Sequence, residues 1–145
     1  MITSDKMKVG PWVAKKVFGK FHPEDSEAIG LEKEGELIAG VIYENWNGRS
    51  IVCHIAVDGK MTPSYLGAIF HYPFEFCGVD KIIAPIAESN TECMNLVRNM
   101  GFELEAELSE AHPDGSLFLF TMRKENCRFI GDKYGKRFTF PAARA

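Results

Sequence analysis

The stretch from Ser50 to Phe102 confines this chain to few architectures. It reads as strand, turn, helix, strand, helix. Ile51, Val52, Ile55, Ala56 and Val57 make the first apolar run, and Ile82, Ile83, Ile86 and Ala87 make the second. Runs with so little polar alternation suit strands covered on both faces. Between them Leu66, Ile69, Phe70, Pro73, Phe74 and Cys77 recur at helical spacing, so a crossover helix completes a βαβ unit. Such units place small-molecule sites at the carboxyl ends of their strands. Pro73 lies inside the helical stripe and predicts a kink or early stop. Pro85, in KIIAPIA, has no donor for a ladder and belongs where neighbouring pairing ends.

The flanking segments supply the rest of a mixed sheet. Gly10 to Phe21 is expected to be helical, with Pro11 in its first turn and Val13, Val17 and Phe21 on one face. Its lysines, Lys15, Lys16 and Lys20, form a solvated face or a lure for an anionic ligand. Ala28–Lys33 and Leu37–Tyr43 form a hairpin around EKEGE, and Asn47-Gly48 turns the chain into the Ser50 strand. Three consecutive strands thus make an antiparallel meander. Thr62 and Pro63 cap and start the crossover helix, and Asn90 caps a second helix that Gly101 stops. Its apolar face is Cys93, Leu96, Val97 and Met100. Two last strands, Phe102–Leu108 and Ser116–Met122, are joined by SEAHPDG.

Length and charge exclude several classes. The 145 residues suffice for one domain with a full core, spanning 1–145, with about 130–145 as a mildly basic, aromatic-bearing tail that is either surface or a partner contact. A net charge of -3 argues against nonspecific nucleic-acid binding. The polar N-terminus and the absence of a long apolar run argue against a signal peptide and a membrane partner. Four scattered cysteines without a CxxC pair point away from a zinc site and towards free thiols in a reducing cytoplasm. A homodimer is left open.

In this order the elements resemble the GNAT (Gcn5-related N-acetyltransferase) superfamily over roughly Gly30 to Phe129. GLEKEGELIAGVIYENWNGRSIVCHIAV looks like its central meander. IAPIAESNTECMNLVRNMGFELE is similar to its strand and N-x-x-[AS]-x-x-[LV]-x-x-x-x-GF helix, with Asn90, Cys93, Leu96, Gly101 and Phe102 matching. LSEAHPDGSLFLFTMRK resembles the hairpin of the ribosomal-protein and phage-encoded branches. The resemblance implies an α+β fold, a mixed and mostly antiparallel sheet with a βαβ unit and flanking helices. It further implies that acetyl-CoA, as co-substrate, binds where the strands around Ile55 and Ile86 splay. Pantetheine would run along Ile55, Ala56 and Val57, and the pyrophosphate would meet the start of the Thr62 helix. The turn departs from the family's [QR]-x-x-G-x-[GA] loop: DGKMTPSYLG keeps Gly59, Lys60, Thr62 and Ser64 as an amide, a cation and two hydroxyls, while Asp58 opposes phosphate. Val97 stands where many members carry a tyrosine as general acid.

Acyl transfer to an amine needs a proton acceptor, a proton donor for the sulfur and amides for the oxyanion. His54 is a candidate base, with a hydrogen-bonded core histidine as the alternative. Glu44, at its strand end, is a rival base or a solvated turn residue. Ser89 and Asn90 contact pantetheine or, for Ser89, protonate the thiolate; Asn90 caps its helix in either case. Cys93 suits a small core residue beside the cofactor better than a nucleophile. Tyr65 stacks at the cofactor mouth or packs inside, Trp12, Tyr43 and Trp46 line an acceptor pocket or the core, and His112 is expected to be exposed. The function that follows is acetyl-CoA-dependent N-acetylation of an amine acceptor. A catalytically silent module of the same fold, binding a protein or nucleic acid, is the rival; a different nucleotide or an acyl-carrier thioester in the cleft is a third reading.

Overall fold

The computed structural model describes residues 1–131, so the expected tail from about 130 lies almost wholly outside the described residues. Seven strands form one sheet: β1 Ile2–Thr3, β2 Ser26–Lys33, β3 Glu36–Glu44, β4 Ser50–Val57, β5 Lys81–Ala87, β6 Glu103–His112 and β7 Gly115–Arg123. Their order is β1-β2-β3-β4-β5-β7-β6. The β4–β5 pair is parallel and the remaining pairs are antiparallel. Helices α1 (Lys6–Lys16), α2 (Pro63–His71) and α3 (Thr91–Met100) complete the architecture. The expected meander, crossover helix and closing hairpin are all present.

The sheet separates two cores. One face carries Ile51, Cys53, Ile55, Ile82, Ala84 and Ile86 against Ile69, Phe70, Phe74, Val97 and Met100 of the α2–α3 layer. The other carries Ala28, Ile42 and Ala56 against Val9, Val13 and Ala14 of α1. Alternation along β4 therefore sends Cys53 and Ile55 to one core and Ala56 to the other. The helix α1 lies close because Gly30 and Gly40 pair directly beneath it. A Cβ at Gly30 would meet Val9 at 2.7 Å, and one at Gly40 would meet Val13 at 2.6 Å.

Three local expectations are corrected. Helix α1 begins at Lys6, four residues before Gly10, so Pro11 is interior and the buried face is Val9, Val13 and Ala14. The early turn escapes sequence reading because its lysines are held tertiarily: Lys6 Nζ donates to the carbonyls of Pro23 (2.6 Å) and Ser26 (3.1 Å). The short β1 strand, paired with Gly30 and Leu31, carries no sequence signal of its own. The last hairpin is tighter than SEAHPDG suggests, because β6 continues to His112 through a bulge after Leu108 and only Pro113 and Asp114 turn the chain.

Both prolines behave as expected. After α2 the chain forms a π-helical turn over Tyr72–Phe76, with Cys77 N–H donating to the Tyr72 carbonyl, so the helix widens around the donorless Pro73. In the sheet, parallel pairing of β4 with β5 stops at Val52–Ile83. The next rung would need the Pro85 nitrogen to donate to the Cys53 carbonyl, and proline has none to give. Proline costs β7 nothing, since Glu88 donates to Ser116 there and alternation turns the Pro85 nitrogen away from β7.

Candidate functional site

The missing rung opens the sheet. Beyond Val52 the two strands diverge, and the amino-terminal turn of α3 sits at the fork. Asp58 donates to Ile38 on β3, so the even-numbered residues of β4 serve β3. The amides of Ile55 and Val57 consequently face the open side, free to pair with an extended ligand. A cleft of about 430 Å³ fills the fork, walled by Cys53, His54, Ile55, Pro85, Ile86, Asn90 and Cys93. A second cavity, about 410 Å³, continues it past Val57 to Asp58, Glu92 and Leu96. A third, about 230 Å³, reaches Glu44 and His22 and shares His54, Val17 and Gly19 with the first. Because neighbouring cavities share walls, one groove crosses the sheet from Asp58 to Glu44.

The expected site residues divide into four groups. Ile55, Ala56, Val57, Ser89, Asn90 and Cys93 line the groove. Asn90 also caps α3, its side chain accepting from Cys93 N–H at 3.2 Å. The Cys93 thiol contacts the Ile55 carbonyl at 3.7 Å, and burial pushes its pKa from 9.0 up to about 11. It stays a neutral thiol, which favours the packing reading over a nucleophile. Gly59, Lys60, Thr62 and Ser64 are exposed on the turn and the α2 start, outside the groove walls. Thr62 caps α2 by accepting from Tyr65 N–H at 3.2 Å.

Tyr65 is a correction: its ring is wholly buried and its hydroxyl donates to the Ile29 carbonyl at 2.8 Å, so it ties α2 to β2 and cannot stack at a cofactor mouth. Burial raises its pKa far above the ordinary phenol value. Tyr43 is likewise core, donating to the Ile69 carbonyl, and Trp46 donates to the Cys77 carbonyl.

His54 and Glu44 come together, although ten residues separate them. Neighbouring positions on β3 and β4 bring His54 Nε2 within 2.8 Å of Glu44 Oε2, both side chains being about one-fifth exposed. With the carboxylate accepting, Nε2 carries the proton and the Nδ1 lone pair remains available in the neutral ring. The two rival bases thus form one unit.

Three further groove residues lie outside the expected site set, although Lys16 belongs to the lysine face expected to meet solvent or draw an anion. Lys16, at the end of α1, lines both larger cavities and pairs with Asp58 at 2.5 Å, offsetting the charge that opposes phosphate. Phe18 stands at the rim, 82% exposed, with a left-handed φ of 56°. A bulky residue in that conformation is strained by about 1–2 kcal/mol, and such strain concentrates at functional sites. His112 is half-buried in the cleft wall instead of exposed. The visible signal was only its place beside a Pro-Asp-Gly turn.

No family model and no curated protein matches this sequence. Solved structures do. A spermidine N-acetyltransferase from Vibrio cholerae, in complex with CoA and spermine, superposes with a TM-score of 0.61 at 19% identity over 80% of this chain and 74% of that one. The N-acetyltransferase PseH from Campylobacter jejuni, in complex with acetyl coenzyme A, gives 0.54 at 16% identity over 69% of each chain. The chain has the fold of the GNAT N-acetyltransferases.

Proposed function

We propose that the chain is an acetyl-CoA-dependent N-acyltransferase that moves an acetyl group to a primary amine by direct transfer. The observation that carries this reading is the fork itself: paired strands released at Pro85, with the Ile55 and Val57 amides free beside a groove whose other end is lined by the His54–Glu44 pair. An amide-rich pantetheine arm fits there as a short added strand. Val57 leads towards Lys16 and Asp58, the end that would take the phosphates. The Glu44 end would take the amine, with the exposed Phe18 ring at its mouth. Neighbours of this fold, crystallised with CoA and spermine or with acetyl coenzyme A, support the reading.

The chemistry follows from these groups. His54 Nδ1 takes one proton from the ammonium, and Glu44 stabilises the imidazolium. The nitrogen lone pair forms a bond to the carbonyl carbon while the C=O pair moves to oxygen, where the Ile55 amide donates. Collapse re-forms C=O and breaks C–S, and the second nitrogen proton ends on the sulfur. The free thiols fit a reducing, cytoplasmic setting, and among the described residues no helix is long and apolar enough to cross a membrane. The ribosomal-protein or phage-encoded branch rests on the hairpin resemblance alone.

Acetyl-CoA is expected to raise the melting temperature with concentration, by about 2.7 kcal/mol of stability at a hundred times Kd. No shift at millimolar acetyl-CoA sinks the enzyme reading. It would promote the silent binding module, which one observation favours: Asp58 and Glu92 put two carboxylates at the phosphate end.

A further inference from the structure

The turn at Pro113–Asp114 is stapled to the loop after β5. Glu88 N–H donates to the Ser116 carbonyl at 3.0 Å, Ser116 N–H donates to Glu88 Oε1 at 2.8 Å, and Ser89 Oγ donates to Asp114 Oδ2 at 3.0 Å. Gly115 permits this, since a Cβ there would lie 2.4 Å from Glu88 Oε1. The staple holds His112 in the wall of the larger cleft, together with Leu117, Pro85 and Ile86. Its tautomer is set locally: Asp114 N–H donates to His112 Nδ1 at 3.0 Å. In the neutral ring the proton is then on Nε2. No described residue accepts from that nitrogen.

The cleft therefore contains two histidines with opposite assignments. Nε2–H of His54 is given to Glu44, which leaves a lone pair. Nδ1 of His112 is occupied by a donor, which leaves an N–H. The geometry points to His112 as a further catalytic residue of the proposed acyl transfer, a neutral hydrogen-bond donor to the acyl oxygen as it gains negative charge. It moves no proton: giving up Nε2–H would leave an imidazolate, and gaining one at Nδ1 would break the Asp114 bond. As the amine nitrogen bonds to the carbonyl carbon and the C=O pair passes to oxygen, Nε2–H and the Ile55 amide both donate to that oxygen. When the pair returns and C–S breaks, the bonds relax. The inference rests on the acetyl-transfer reading.

The test uses acetyl-CoA isotope-labelled at its carbonyl carbon, bound to the full chain without acceptor. Donation from His112 lowers the carbonyl stretching frequency and moves the carbonyl resonance downfield. His112→Phe is expected to bind acetyl-CoA within about twofold of wild type yet lose most of that shift, while His112→Gln, which keeps an N–H, retains part of it. On an amine substrate, His112→Phe is expected to lower kcat by roughly 100–1,000-fold with little change in KM, the size typical of one oxyanion donor. An unchanged carbonyl signal in a His112→Phe protein that still binds overturns the donor role and leaves acetyl transfer standing. Absence of acetyl-CoA binding to wild type overturns both. If the Phe variant fails to fold, nitrogen-detected NMR of wild type decides: an Nδ1–H tautomer, or a His112 ring unmoved by acetyl-CoA, overturns the inference.

Discussion

Asp58→Asn should tighten CoA binding, and the size of the gain follows from the geometry. The phosphate-end cavity, about 410 Å³, is roughly 9 Å across if taken as a sphere, so a diphosphate against its far wall lies about 8 Å from Lys16 and Asp58. One unit pair at that distance in water interacts by about 0.5 kcal/mol, so two phosphate charges against Asp58 cost about 1 kcal/mol. Removing the carboxylate lifts that repulsion, while Lys16, paired with it at 2.5 Å, attracts the phosphates before and after the change. The gain is about 1 kcal/mol, roughly fivefold in Kd at low salt. A Debye length of about 8 Å at physiological ionic strength cuts this to about 0.4 kcal/mol, roughly twofold. Lys16→Ala reverses the sign, because it removes the cation and leaves Asp58 unopposed.

Isothermal titration with CoA at two salt concentrations measures both effects. Pantetheine, which lacks the phosphates, serves as the control and should bind all variants alike. Folding stability should change by no more than about 1 kcal/mol, since the pair is half in solvent. Equal CoA affinity for wild type and Asp58→Asn at low salt refutes the placement of the phosphates. If Lys60→Ala or Thr62→Val weakens CoA binding instead, the diphosphate sits on the α2 turn.

Glu44→Gln keeps the geometry at His54 but removes the charge that stabilises its imidazolium; steady-state kinetics should show kcat down by about 100-fold or more with CoA affinity retained. Tyr65→Phe should destabilise the fold by about 0.5–1.5 kcal/mol, read as a lower urea midpoint, by removing the bond that ties α2 to the Ile29 carbonyl, which keeps its ladder partner Val41. Burial raises Cys93 from 9.0 to about 11, so the unfolded thiol ionises first, and stability should fall as pH rises from about 9 to 11. Cys93→Ala should flatten that part of the urea-midpoint profile; an unchanged slope would refute the assignment.

How much of this was legible depended on the range of the interactions. The βαβ unit could be read because apolar runs and caps are local: Thr62, Asn90 and Gly101 each act within a few residues. Pro85 was legible too, since its missing donor is an intrinsic property, though the rung it breaks was not. The start of α1 was hidden because Lys6 answers to Pro23 and Ser26, and Tyr65 was misplaced because its hydroxyl partner lies on β2. After Asp58, the DGKMTPSY turn carries polar groups suited to an anion, yet Gly59, Lys60, Thr62 and Ser64 lie outside the groove. Its counter-charge comes from Lys16, which no local motif marks.

The sequence alone settled the order of the elements from α1 onward, the mixed sheet and the proline at which pairing ends, because periodicity, capping and the proline donor are properties of adjacent residues. Only the tertiary structure decided which groups meet in that opening. His54 finds Glu44 across a strand pair, Lys16 finds Asp58 across the sheet, and His112 is aimed by a hairpin that Glu88 and Ser89 hold from a distant loop. Proton positions and charge balance depend on partners that the chain brings together only by folding.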